Sequence, residues 1–213
     1  LMKIVIINYG AGNLHSVKKS FESANLNLGG TNDIVISADA SELKEADKIV
    51  LPGVGSFGDC KQAIMNIDKL FETLVEQIII KKKPFMGICV GMQLLADKAH
   101  EFGEHDGFGW ISGEVVKIKQ HPEFKIPHMG WNEIKFNAHP LFQNLQSNLD
   151  FYFVHSFHFK VLDAKNILAT TNYSEPITAA VIKENIFGTQ FHPEKSHSNG
   201  IKLIENFLQW SPS

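Results

Sequence analysis

The sequence predicts an α/β fold: an open, mostly parallel sheet with helices on both faces and antiparallel strands added to it. Three observations carry this. Short β-branched runs alternate with helical periodicity through the first half. Closely spaced strand candidates separated by turn residues fill the second half. The chain has 213 residues, 44% of them hydrophobic and 20% charged, which supplies a sizeable core. No repeat, low-complexity segment or linker divides it, so residues 1–213 are read as a single domain.

The elements follow in order. "KIVIIN" (3–8) is a buried strand and "YGAGN" a turn. Leu14, Val17 and Phe21 then recur at spacings of three and four, the mark of a helix. "DIVIS" (33–37) and "DKIVLP" (47–52) are strands with a short helical piece between them. "DKLFETLVEQIIIKKK" (68–83) reads as one amphipathic helix, stopped at Pro84 where the strand "PFMGI" begins. Strand–helix alternation implies parallel pairing with right-handed crossovers. "GEVVKIK", "WNEIKF", "FYFVHSFHF", "NILAT", "TAAVIK" and "NIFGTQF" are short strands expected to join the sheet antiparallel. "SNGIKLIENFLQW" (198–210) closes the chain as a helix with Ile201, Ile204 and Leu208 on one face.

Composition narrows the function. Formal charge is −3 and the only basic run is Lys81–Lys83, so there is no electrostatic footprint for nucleic acid. No apolar run approaches a membrane span. The start reads as strand and loop instead of a secretory leader, and Cys60 and Cys89 are too few for a disulfide framework; the expected setting is the cytosol. There is no arginine, so a bound carboxylate must be held by backbone amides, a helix N-terminus or a lysine. His100, His105, His192 and His197 make no zinc spacing with the cysteines; neither metal nor cofactor is expected.

Cys89 sits in "GICVG", between two glycines, where a strand turns into a helix. This is the layout of a nucleophile elbow with Cys in place of Ser. A helix N-terminus favours the thiolate, which is the reactive form. The bland alternative is a small buried hydrophobe, and a partner base decides between them. "GTQFHPEKS" (188–196) offers one: Pro193 keeps His192 out of the helical region, and His192 and Glu194, two apart in an extended segment, share a face. The carboxylate then orients the imidazole as the acid of a triad does. His155 and His158, three apart within one strand candidate, are expected on opposite faces. "LPGVGSFG" (51–58) lacks the Lys-Ser/Thr of a phosphate loop and fits a backbone donor to an oxyanion, with a plain turn as the alternative.

"PGVGSFG", "GICVGMQLL" and "FHPEKS", in that order, resemble the class I glutamine amidotransferases. "NYGAGNLHSV" (8–17), "IPHMGWN" (126–132) and "FYFVHSF" (151–157) narrow the resemblance to the glutaminase-subunit family of imidazole glycerol phosphate synthase. The resemblance implies that Cys89 attacks the amide of L-glutamine, His192 moves the proton and Glu194 orients His192. It implies oxyanion donors at Val90 and in the loop at Val54 and Gly55. Gly53, Gln93, Glu101, Ser156 and Phe157 match glutamine-holding positions, Glu101 against the α-ammonium group. Ammonia would pass to a (β/α)8-barrel cyclase in a heterodimer, making imidazole glycerol phosphate and aminoimidazole carboxamide ribotide in histidine biosynthesis; Asn13 and Lys195 match positions facing that partner. Phe157 stands where Tyr is common, and "GGTNDIV" (29–35) is irregular for the family. The alternatives are the same glutaminase serving a different acceptor synthase, and a catalytically silent regulatory subunit. A gate is also expected: with the Val54 peptide carbonyl turned into the oxyanion hole, the free chain lacks one donor, a loss of ~10²–10³ in rate.

Overall fold

The computed structural model describes residues 1–213. The first half builds strands β1 (Lys3–Ile7), β2 (Asp33–Ser37), β3 (Lys48–Leu51) and β4 (Phe85–Ile88). Their helices are α1 (Leu14–Asn27), α2 (Ala40–Glu45), α3 (Phe57–Asn66) and α4 (Leu70–Leu74). Caps set two of the starts: the Asp39 carboxylate accepts from Ser41 N at 2.9 Å, and Ser56 Oγ from Asp59 N at 3.3 Å. A four-residue helix, α5 (Val90–Gln93), follows β4 directly.

The second half supplies β5 (Lys98–His100), β6 (Glu104–Asp106), β7 (Gly113–Lys117), β8 (His128–Phe136), β9 (Leu149–His155), β10 (Phe157–Val161), β11 (Ile167–Tyr173), β12 (Glu175–Lys183) and β13 (Ile186–Thr189). The chain ends in α6 (His197–Gln209). Nine strands form one sheet in the order β2-β1-β3-β4-β13-β12-β11-β8-β9. Pairing is parallel from β2 to β13 and antiparallel from β13 to β9. β3 and β4 are buried at every residue and β1 at all but its first, so both faces of this part of the sheet are covered. α1 and α6 pack together, with Phe21 edge-on to Phe207. No helix is long and apolar enough to cross a membrane.

Four expectations are corrected. The helix read over 68–83 is α-helical only to Leu74 and continues as a π-helix, Val75–Ile80. The Asn185 side chain, more than a hundred residues away, donates to the carbonyls of Ile78 and Lys83 and holds this widened end open. "FYFVHSFHF" is two strands, not one: the chain breaks at Ser156, whose carbonyl accepts from Ile118 N, and crosses to a second sheet. That sheet has the order β10-β7-β5-β6, so β7 and β10 are not additions to the large one. His155 and His158 accordingly lie in different sheets instead of on opposite faces of one strand.

The glycines around Cys89 are there for close approach. A Cβ on Gly87 would lie 2.4 Å from the Gly91 carbonyl oxygen, and one on Gly91 would lie 2.0 Å from that of Leu51. Backbone on both sides leaves no flexible group to yield. Gly91→Ala is therefore expected to lower stability by about 3 kcal/mol, read as a fall in the urea midpoint. A midpoint equal to wild type would show that β3 and the elbow can separate.

Candidate active site

β3, β4 and β13 are neighbours in the parallel part of the sheet, and the loops leaving their carboxyl ends meet at one cleft. Cys89 follows β4 at once, with φ 56 and ψ −111. Positive φ at a non-glycine residue is strained, and here it makes the strand-to-helix corner. Cys89 N donates to Thr189 O at 2.7 Å, tying the corner to β13. The Val90 N–H occupies the first helical position, which has no intrahelical acceptor.

His192 stands three residues beyond β13 with its Nδ1 2.7 Å from Glu194 Oε1, both side chains 3% exposed. The extended path expected through Glu194 is not what brings them together. Pro193–Lys195 is a 3₁₀ turn, with Lys195 N donating to His192 O at 3.1 Å and Ser196 Oγ to the same carbonyl at 2.6 Å. The tight turn folds Glu194 back onto the ring. His192 Nε2 has no hydrogen-bond partner in the protein. Burial opposes a charge on this ring, but the Cys89 sulfur and the Glu194 carboxylate outweigh it and raise its pKa to about 10.

The cleft holds about 350 Å³ and is lined by Val54, Gly55, Cys89, Val90, Gln93, Glu101, Ser156, Phe157 and His192, joined by Phe102, Val154 and His155. Most residues named from the sequence are thus brought together. Gly53 is not among the lining: it is buried behind the elbow, where an added Cβ would meet the Tyr9 hydroxyl at 2.6 Å and Gly91 N at 3.1 Å. Asn13, at the start of α1, and Lys195 are exposed and also lie outside the cleft. The Lys195 ammonium sits over the Tyr152 ring, 5.8 Å from its centre. Burial pushes the Glu101 carboxyl above its usual range, partly offset by the Phe57 N–H.

The loop after β3 is pinned from below. Tyr9 Oη donates to Pro52 O at 2.6 Å. Burial pushes the Cys60 thiol up to about 11, so it stays protonated and donates to the Val54 carbonyl at 3.4 Å. The expected resting state, with the Val54 carbonyl in the oxyanion hole, is therefore not the one seen; that carbonyl is turned to Cys60, which does not line the cleft.

Gln190 was missed from the sequence. Its Nε2 is 3.7 Å from Cys89 Sγ, and its Oε1 accepts from Gln93 Nε2 at 3.0 Å. The signal was present: Gln190 and His192 are two apart just after a strand and share a side. No group of three or more His, Cys, Asp or Glu side chains is arranged to hold a metal.

A cysteine on a strained corner, beside a histidine tied to a carboxylate, is the equipment of a thiol-dependent acyl transfer enzyme. The chain belongs to the class-I glutamine amidotransferase family, whose description matches residues 5–210. It is 46% identical over 214 residues to a Rhodospirillum rubrum protein called imidazole glycerol phosphate synthase subunit HisH, covering 99% of this chain and all of that one. A Mesorhizobium japonicum protein of the same name is 45% identical over 216 residues, again with 99% and 100% covered. A crystal structure of a glutamine amidotransferase shares the fold, with a TM-score of 0.69 over 96% of this chain and 97% of that chain at 16% identity.

Proposed function

We propose that the chain is the glutaminase subunit of an imidazole glycerol phosphate synthase, acting as a single domain in the cytoplasm. The observation that supports it most directly is the Cys89–His192–Glu194 arrangement at the carboxyl ends of β4 and β13. The Cys89 sulfur attacks the side-chain amide carbon of glutamine. The oxygen that becomes negative is held by the Val90 N–H and by an amide of the Val54–Gly55 loop. The charged His192 gives its proton to the departing nitrogen, and ammonia leaves as the C–N bond breaks. A γ-glutamyl thioester remains on Cys89. Water then adds to it, His192 takes the water's proton, and glutamate departs with Cys89 restored. Glu194 holds His192 in the tautomer and orientation both steps need.

Gln93, Glu101 and the backbone of Ser156 and Phe157 hold the glutamine; the half-buried Glu101 carboxylate takes the α-ammonium group, and backbone amides take the α-carboxylate in a chain without arginine. Gly53 supports the oxyanion loop from behind and makes no substrate contact. Ammonia passes to a (β/α)8-barrel cyclase in a heterodimer, with Asn13 and Lys195 on the docking face. The test is glutamine-dependent formation of imidazole glycerol phosphate by the chain plus that cyclase, with growth of a histidine auxotroph lacking its own glutaminase subunit. Product and growth are expected. Glutamine hydrolysis without either would assign the same chemistry to a different acceptor synthase.

A further inference from the structure

Two buried imidazoles stand beside the cleft with no part in that chemistry. His155 ends β9 and lines the cleft; His128 opens β8 directly across from it in the strand register. They are 7% and 2% exposed. His155 Nδ1 lies 2.8 Å from the Phe157 carbonyl oxygen, and its Nε2 lies 2.9 Å from His128 Nδ1. His128 Nε2 is 3.2 Å from Asn132 Nδ2, and that same amide nitrogen donates to Asn172 O at 3.0 Å.

The protons along this row have one arrangement. A carbonyl only accepts. Phe157 O therefore takes a proton from His155 Nδ1, and Asn172 O fixes the Asn132 nitrogen as the end of the amide that faces His128. The second Asn132 N–H points at His128 Nε2, which must accept. His128 then carries its proton on Nδ1 and gives it to His155 Nε2. Each contact holds one hydrogen. A proton added to either ring would set two N–H groups head to head. Burial acts in the same direction, lowering His128 to about 4 and His155 to about 3. The His128 ring is further held by stacking on Phe153 and Tyr173, with centres 4.7 and 4.0 Å away.

We propose that His128 and His155 are neutral positioning residues whose fixed tautomers set the Phe157 carbonyl and, through it, the orientation of Gln93 in the glutamine-binding cleft. This rests on the glutaminase reading of that cleft. The Phe157 carbonyl receives His155 from one side and Gln93 Nε2 at 3.1 Å from the other. Because that oxygen only accepts, it decides which end of the Gln93 amide faces it. The remaining Gln93 proton goes to Gln190 Oε1, and Gln190 turns its N–H to the Cys89 sulfur. The row thus joins Asn132, on β8, to the side chains around the nucleophile.

The experiment is nitrogen NMR of the full chain with labelled histidine, paired with glutamine kinetics. Near neutral pH both rings are expected neutral with the proton on Nδ1. A charged ring or an Nε2 proton on either would overturn the proposal, whatever the enzyme's activity. His128→Phe keeps an aromatic ring between Phe153 and Tyr173 but removes the proton given to His155. With Phe157 O still taking the Nδ1 proton, His155 Nε2 should lose its donor and its nitrogen signal should shift, and KM for glutamine should rise about tenfold with a smaller change in kcat. His155→Asn, whose amide N–H reaches the Nδ1 position, should stay near wild type in KM, and His155→Leu should not. An unchanged His155 spectrum and KM in His128→Phe, or equal KM in the two His155 variants, would refute the assignment. Should the wild type hydrolyse no glutamine with any cyclase, the functional reading fails while the spectra still decide the tautomers.

Discussion

Cys89→Ala is expected to abolish glutamine hydrolysis, lowering kcat by at least about 10⁴-fold, the scale on which removal of a triad nucleophile acts. In the proposed mechanism the sulfur carries the acyl group between two steps, so no neighbour replaces it. The other Cys, Cys60, is buried, donates to Val54 and stays protonated, with its thiol pushed up to about 11. Alanine at φ 56 is no more strained than cysteine, and its methyl group fits within the volume Cys89 leaves. Loss of activity would therefore be chemical and not a failure to fold. Two measurements separate these. Glutamate release, with and without the cyclase, should vanish. With ammonium salt supplied in place of glutamine, the complex should still make imidazole glycerol phosphate at the wild-type rate. Substantial glutamate release by Cys89→Ala would remove the thioester from the mechanism.

The parts of the fold that were legible were set by local pattern. β1, β2 and β3 are short β-branched runs, β4 is an apolar run placed by Pro84, and all four lie within a residue or so of the expected bounds. Cys89 declared itself because the glycines on either side mark backbone crowding, and the structure shows the crowding as Gly91 against Leu51 O. What was not legible depends on contacts between distant residues. The π-helical end at Val75–Ile80 is held by Asn185, which no periodicity within 68–83 reveals. The break at Ser156 reflects pairing of Phe157–Val161 with Gly113–Lys117, and nothing in "FYFVHSFHF" itself interrupts the strand. In the site, His192 and Glu194 were read as a pair for an inexact reason: proximity comes from a turn at Pro193, not from the alternation of an extended chain. Gly53 belongs to the same motif as Val54 and Gly55 but faces Tyr9 while they face the cleft, a difference set by the packing of Tyr9 and not by the motif's spacing.

Glu194→Gln should preserve the fold but lower kcat by ~10²–10⁴, because an uncharged amide no longer enforces the tautomer and no longer stabilises the imidazolium. The pH profile distinguishes this from a general loss of packing. In the wild type His192 is raised to about 10, with burial opposing and the Cys89 sulfur and Glu194 supporting the charge. In the proposed mechanism this imidazolium protonates the departing nitrogen, so it persists into alkaline solution and activity should fall only as pH approaches that value. Removing the Glu194 charge leaves burial and the sulfur alone, so the alkaline limb should move to lower pH. Stability must follow with the same sign. A histidine whose pKa is higher folded than unfolded contributes stability that is complete below its unfolded value of about 6.5 and disappears as pH rises through the folded value. The urea midpoint of the wild type should therefore decline from near-neutral pH toward pH 10, following the His192 titration. That of Glu194→Gln should begin its decline at lower pH and over a narrower range. Coincident alkaline limbs in the two proteins, in both rate and midpoint, would mean that Glu194 positions the ring without supporting its charge.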